Sequence, residues 1–278
     1  MQTVLITGAS SGFGRVTAEK LARLGYKVFG TSRRTGQNVA GAEMLVMDVR
    51  DETSVTDAVQ KIVKEAGKLD VLINNAGIFL MGTAEETTEA QTKDLFETNF
   101  FGALRVMNTV LPVMRGQRSG RIINVASLVG RMGIPGEAAY SASKFALVGY
   151  SEALRYELAP FGIHVSLIEP GFFKTNIEQV AIPAEKTIED YRAVRSALET
   201  AIKQGFEKAR DAGEVATLIA EVIKTPKPAL HYPIGNEANA LQLKRFLPES
   251  LFESGFKRGF GLDKVKPTAM TNLTKEIA

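Results

Sequence analysis

Strand and helix signals alternate from the third residue of this 278-residue chain, and that alternation leaves few folds open. Val4-Leu5-Ile6 is a short apolar run, and Val16, Ala18, Leu21, Ala22 and Leu24 follow at helical spacing up to Gly25, a natural helix C-cap. Lys27 to Thr31 and Glu43 to Met47 read as second and third strands, Val55, Val59, Ile62 and Val63 as a helix face, and Leu69 to Ile73 as a fourth strand. Strands separated by helices pair in parallel through right-handed crossovers, and the sheet that results is covered on both faces. The expected class is α/β, doubly wound.

Between the first strand and the first helix lies Thr7-Gly8-Ala9-Ser10-Ser11-Gly12-Phe13-Gly14. Glycines there permit a tight turn and let a diphosphate approach the backbone, while the helix N-terminus offers free N–H groups and a favourable dipole. The GxxxGxG spacing differs from the GxGxxG of longer-chain dinucleotide binders, and its placement after the first strand gives it meaning.

A second constellation runs from Ile122 to Lys144. A strand-like run ends at Ser127, a Gly/Pro-rich connector follows, and Tyr140 and Lys144 stand four apart at the start of a helical pattern. Residues at i and i+4 share a helix face, so a phenol and an ammonium project together. Such a set moves a proton at a carbonyl or alcohol oxygen.

Composition excludes other chemistries. The chain has no cysteine and two histidines, so disulfides, thiolate metal sites and a histidine-based metal centre are not expected. A formal charge of +3 without basic runs gives no footprint for nucleic acid. No apolar run reaches the ~20 residues of a membrane span, no leader is visible, and a reduced, cytoplasmic protein is the expectation.

TGASSGFG, Asp48-Val49 after the third strand, Asn74-Asn75-Ala76-Gly77 after the fourth, Asn99, Ser127, Tyr140-x-x-x-Lys144 and Pro170-Gly171 occur in that order. In this ordered set the chain resembles the short-chain dehydrogenase/reductase family in its compact single-domain form, over about residues 3 to 235. The resemblance implies a seven-stranded parallel Rossmann sheet with the cofactor at the carboxyl ends of the strands. One domain over 1–278 is expected, with a substrate lid over about 172–210 and a C-terminal helical extension over about 236–278.

The resemblance also assigns roles. Gly8, Ser10, Ser11, Gly12, Phe13 and Gly14 would hold the diphosphate, and Asp48 and Val49 the adenine, unless Asp48 only caps the next helix. Asn75, Ala76 and Gly77 would line the ribose. Pro170-Gly171 would turn the chain past the nicotinamide, whose carboxamide Phe173 and Thr175 would contact. Lys144 would bind the ribose hydroxyls and, with the oxidised ring, lower the Tyr140 pKa. Tyr140 would then act as general acid and base, with Ser127 placing the substrate oxygen. Asn99, in a helix among apolar residues, would mark a kink whose backbone holds a relay water.

After the second strand comes Gly30-Thr31-Ser32-Arg33-Arg34, without the acid that NAD-preferring folds place there. Ser32 could donate to a 2′-phosphate and Arg33 could pair with it, so NADP(H) is the expected cofactor.

The later chain concerns the substrate. Ile177, Val180, Ile182, Tyr191, Val194 and Leu198, set among charges, suit a mobile helical lid. Residues 229 to 233 read as the seventh strand, with no chemistry assigned to His231. Beyond Leu241, Phe246, Phe252, Phe256 and Phe260 suggest a tail packed over the substrate cleft or a partner subunit; Pro248 and scattered Glu interrupt any continuous membrane-surface anchor. The expected activity is NADP(H)-dependent interconversion of ketone or aldehyde and alcohol on a bulky lipophilic substrate, the tail resembling the steroid and retinol branch. Epimerisation or dehydration on the same fold, and a non-catalytic NADP(H) sensor, are the alternatives. The family implies a homodimer or homotetramer, and Leu104, Leu111, Leu147 and Leu154 would serve that interface or the core.

Overall fold

The computed structural model describes residues 1–175 and 181–266; Ile177, Val180 and the last residues of the tail lie outside them. Seven strands form one parallel sheet: β1 (Thr3–Ile6), β2 (Lys27–Ser32), β3 (Ala42–Val46), β4 (Val71–Asn74), β5 (Gly120–Val125), β6 (Ile163–Pro170) and β7 (His231–Ile234). Their spatial order is β7-β6-β5-β4-β1-β2-β3. The chain starts in the middle, winds to one edge and returns to build the other, so the crevice between β1 and β4 opens where the order reverses.

The strands read as unbroken apolar runs because both sheet faces are covered. Side chains alternate between two cores. Leu5, Phe29 and Ile122 face one side with Val106 and Leu147, whereas Val4, Ile6 and Ile123 face the other with Ala18 and Ile219. The first core is closed by α2 (Glu52–Ala66), α4 (Ala103–Gln117) and α5 (Ala138–Leu158), the second by α1 (Gly12–Arg23) and α7 (Gly213–Lys224). Leu147 and Leu154 belong to the first core, and Leu104 and Leu111 pack against it.

Differences from expectation are local. β7 starts at His231 rather than at 229 and pairs with β6 from Leu167 to Pro170. Asn99 lies within a π-helical turn, Glu97–Gly102, between α3 (Glu89–Phe96) and α4. Such turns interrupt helices most often at functional sites.

Described residues between 183 and 195 are tied to the segment that precedes and opens α3. Buried Glu86 accepts from the Ile188 N–H at 2.7 Å and from Thr83 Oγ1 at 2.8 Å, and it pairs with Arg195. Gln91 Nε2 donates to the Pro183 carbonyl at 2.8 Å. α6 (Arg192–Glu207) starts from this anchor and buries Leu198 and Ile202. α8 (Asn239–Phe246) and α9 (Glu249–Gly259) form the tail, with Phe252, Phe256 and Phe260 in successive ring contact at 5.4 and 5.0 Å.

Candidate active site

The first turn is shaped by what its glycines exclude. Gly8 has φ +67°, and a Cβ there would stand 2.9 Å from Ala76 Cα. A Cβ at Gly14 would meet the Gly8 carbonyl oxygen at 2.4 Å and Asn75 Nδ2 at 2.5 Å. Gly12 is the opposite case: with φ +52°, its added carbon would meet nothing nearer than Thr175 at 3.7 Å. The turn is therefore sealed against the protein and open toward the crevice.

α1 has no acidic residue in its first turn, and the Ser11 side chain makes no capping bond, so the positive helix end is left for an anion. Thr7 fixes the facing loop, its Oγ1 accepting from the N–H groups of Asn75 and Ala76 at 2.9 Å each. Asn75 Nδ2 returns bonds to the carbonyls of Thr7 and Gly8. This is a cradle in which a dinucleotide diphosphate and ribose fit.

At the end of β2, Ser32 is buried and its Oγ accepts from the Arg34 N–H at 3.1 Å, while Arg33 is exposed. Asp48 accepts from the Arg50 N–H at 2.9 Å. The capping alternative for Asp48 fails, because Asp51 caps α2 through Thr53 and Ser54. Val49 is buried beneath Gly102.

Ser127, at the end of β5, donates through Oγ to the Pro170 carbonyl at 3.2 Å. Tyr140 and Lys144 lie on the first turns of α5, both buried. The Tyr140 ring packs edge-on against Phe79 at 4.9 Å, and Lys144 Nζ donates to the Val125 carbonyl at 3.0 Å. Nζ also lies 5.7 Å from the Tyr140 ring centre. Asn99 is locked by its side chain, accepting from the Ile78 N–H at 2.8 Å and donating to the Ile78 carbonyl and Ser143 Oγ. Gly77 lies between Asn99 and Lys144: a Cβ on it would lie 3.2 Å from Asn99 Oδ1 and 3.8 Å from Lys144 Nζ.

Without cofactor, the Tyr140 phenol is pushed up, first by burial and then by the nearby Glu137 carboxyl; a hydrogen bond with Ser127 pulls the other way. Burial pushes the Lys144 ammonium down to about 8 and the Glu137 carboxyl up to about 8. The scaffold thus holds the phenol protonated beside an amine able to exchange its proton near neutral pH.

A cavity of about 220 Å³ opens over Ser127 and Tyr140. It is walled by Phe13, Phe79, Phe172, Phe173, Phe206 and Met132, and α9 reaches it through Phe256, with Phe260 just beyond that helix. Pro170, Gly171 and Thr175 edge the same space. The tail contributes Ala240, Phe256 and Phe260 to this lining. Sequence reasoning missed Glu137 and Phe206, which also line this cavity.

Residues 2–186 match the family model described as short chain dehydrogenase. The chain belongs to the short-chain dehydrogenase family. Its relatives are oxidoreductases that include ketoreductases, which supports a ketone/alcohol oxidoreductase. Among similar proteins is a 3-ketodihydrosphingosine reductase of Bacteroides thetaiotaomicron, 39% identical over 260 residues that cover 91% of this chain and 95% of the relative. A short-chain dehydrogenase/reductase of Burkholderia phymatum, solved with NAD, superposes with a TM-score of 0.77 at 26% identity, covering 98% of each chain. A variant of actinorhodin polyketide ketoreductase solved with NADPH gives 0.74 at 29% identity, covering 85% of this chain and 97% of that one. The family fold binds a nicotinamide cofactor, and the neighbours divide between its two forms. No helix among the described residues is long and apolar enough to cross a membrane.

Proposed function

We propose that this short-chain dehydrogenase is an NADP(H)-dependent reductase of lipophilic ketones. The observation that carries this reading is the phenylalanine-walled cavity that ends on the Ser127 and Tyr140 hydroxyls. Apolar walls favour a substrate with a long or bulky hydrocarbon part, and two convergent hydroxyls fix its oxygen. The similarity to a protein named for reducing a ketone supports the same direction.

When bound, the nicotinamide supplies the hydride that reaches the carbonyl carbon. Ser127 donates a hydrogen bond to the carbonyl oxygen and holds it against Tyr140. Tyr140 gives its phenolic proton to that oxygen as the hydride arrives, so C=O becomes CH–OH. A phenol pushed up by burial and Glu137 stays protonated until the transfer, which suits reduction. Lys144, held at the Val125 carbonyl, stabilises the phenolate left behind and returns a proton to it.

Preference for NADP(H) is supported by the exposed Arg33 and the missing carboxylate at the end of β2. Gly8 to Gly14, Asp48, Val49, Asn75, Ala76, Gly77, Phe173 and Thr175 complete the proposed cofactor site. Phe101 and Phe145, exposed at 45% and 44%, lie on the π-turn and α5 and support pairing of subunits through that side.

The test is an NADPH-consumption screen at 340 nm over steroids, quinones, aldehydes, β-keto esters and long-chain ketones. A kcat/KM that rises with hydrocarbon length among ketones is expected. Turnover confined to small polar carbonyls, or faster with NADH than with NADPH, would overturn the reading.

A further inference from the structure

Arg105, on the first turn of α4, reaches away from its own helix to the loop that follows β3. Its side chain is 23% exposed, and two of its nitrogens are engaged: Nη1 donates to the Val49 carbonyl at 2.6 Å and Nη2 to Glu97 Oε1 at 2.8 Å. Glu97 opens the π-helical turn that also carries Asn99. The guanidinium is thus held from behind by that turn while it holds the loop in front.

What it holds is one peptide plane. The Val49 carbonyl and the Arg50 N–H belong to the same amide, and that N–H donates to Asp48 Oδ1 at 2.9 Å. Because the amide is planar, fixing its oxygen fixes the direction of its N–H. Glu97, Arg105, the 49–50 amide and the Asp48 carboxylate therefore form one continuous chain of short hydrogen bonds. Two other contacts hold the loop to the same region. Val49 packs against Gly102, where a Cβ would come within 2.7 Å of Val49 Cγ2, and Arg50 pairs with Asp94 at 2.6 Å. The Arg50 pair is exposed on both sides and contributes little, and Gly102 touches only the Val49 side chain. Neither sets the rotation of the amide; Arg105 does.

We propose that Arg105 is a positioning residue for the adenine of the cofactor: by pinning the 49–50 amide it aims the Asp48 carboxylate, whose Oδ2 accepts from the adenine amino group. The inference rests on the placement of Asp48 and Val49 in the cofactor site given above. An aimed carboxylate accepts from an amino group and repels a carbonyl oxygen in its place, whereas one that has swung away distinguishes the two poorly. Arg105 acts through Asp48, so its loss is felt as poorer recognition of one ring substituent.

The experiment titrates the enzyme with NADPH and with its reduced hypoxanthine analogue, which carries a carbonyl where adenine has the amino group, reading Kd by fluorescence without turnover. A hydrogen bond to a charged acceptor corresponds to a wild-type preference for NADPH of about 10- to 150-fold. In Arg105→Met, which keeps the length of the side chain and removes its donors, that preference should collapse toward one. Arg105→Lys retains a donor for the Val49 carbonyl and should keep part of it. Glu97→Gln, which leaves Arg105 without its charged partner, should lower the preference less, and it decides by the same ratio where R105M does not fold. Equal weakening of both nucleotides in R105M, or a preference left intact, overturns this inference alone. A wild type that binds both nucleotides equally removes adenine from Asp48, and the inference falls with that placement.

Discussion

The two ends of the crevice are built from different material. At the cofactor end the walls are backbone: Gly8, Gly12 and Gly14, the start of α1, and a loop pinned by Thr7 and Asn75. At the substrate end the walls are side chains drawn from the whole chain, from Phe13 to Phe260. A ligand held by backbone demands a fixed path of the chain and tolerates little change. A ligand held by side chains can be exchanged for another by altering a few phenylalanines, with the sheet untouched.

The largest expected effect lies where the two ends meet. Tyr140→Phe removes the proton donor and should lower kcat by about 10²- to 10⁴-fold, while NADPH affinity by fluorescence titration stays near that of the wild type. Substantial residual turnover would break the assignment. Arg33→Ala touches the cofactor end only, and should lower kcat/KM for NADPH by about 10- to 150-fold with NADH nearly unaffected. An unchanged NADPH/NADH ratio would erase Arg33 from that end.

A smaller effect separates the ends by stability. The Glu137 carboxyl titrates at about 8 in the fold against 4.5 when exposed, so the folded state holds a proton that the unfolded state has lost between those values. Its contribution is fully present below pH 4.5 and is lost as pH rises through 8. Glu137→Gln should therefore raise Tm at pH 8 by a few degrees, on the order of 2 kcal/mol, with the gap closing toward pH 4.5. A gap independent of pH would show that the carboxyl is not held neutral in the fold.

The same division governs what could be read in the residues. The sheet and the glycine turn were legible because period and positive φ are local constraints: apolar runs such as Val4 to Ile6 allow little else, and Gly8 and Gly12 sit where other residues are strained. Tyr140 and Lys144 were legible because four residues is one helical turn. Glu137 was not, since a glutamate after Gly136 (φ +80°) reads as part of a solvated turn, and only the fold brings Leu198 and Phe79 around that segment. Phe206 belongs to an amphipathic helix whose periodicity marks a buried face without saying that the face is a cavity wall. Lys144 was visible in the spacing, whereas the burial that raises the Tyr140 phenol was not.

α9 buries none of its residues. It meets the cavity through Phe256, and Phe260 just past its end, which supply part of the wall. A hydrocarbon chain lying there would complete that helix's apolar packing, so ligand and helix would settle together. The thermodynamic mark of such joint settling is a heat-capacity decrease that grows with each added methylene, and its kinetic mark is product dwell time that lengthens in step. In this enzyme a longer tail would then be gripped more firmly and released more slowly, making turnover at saturation fall as affinity climbs.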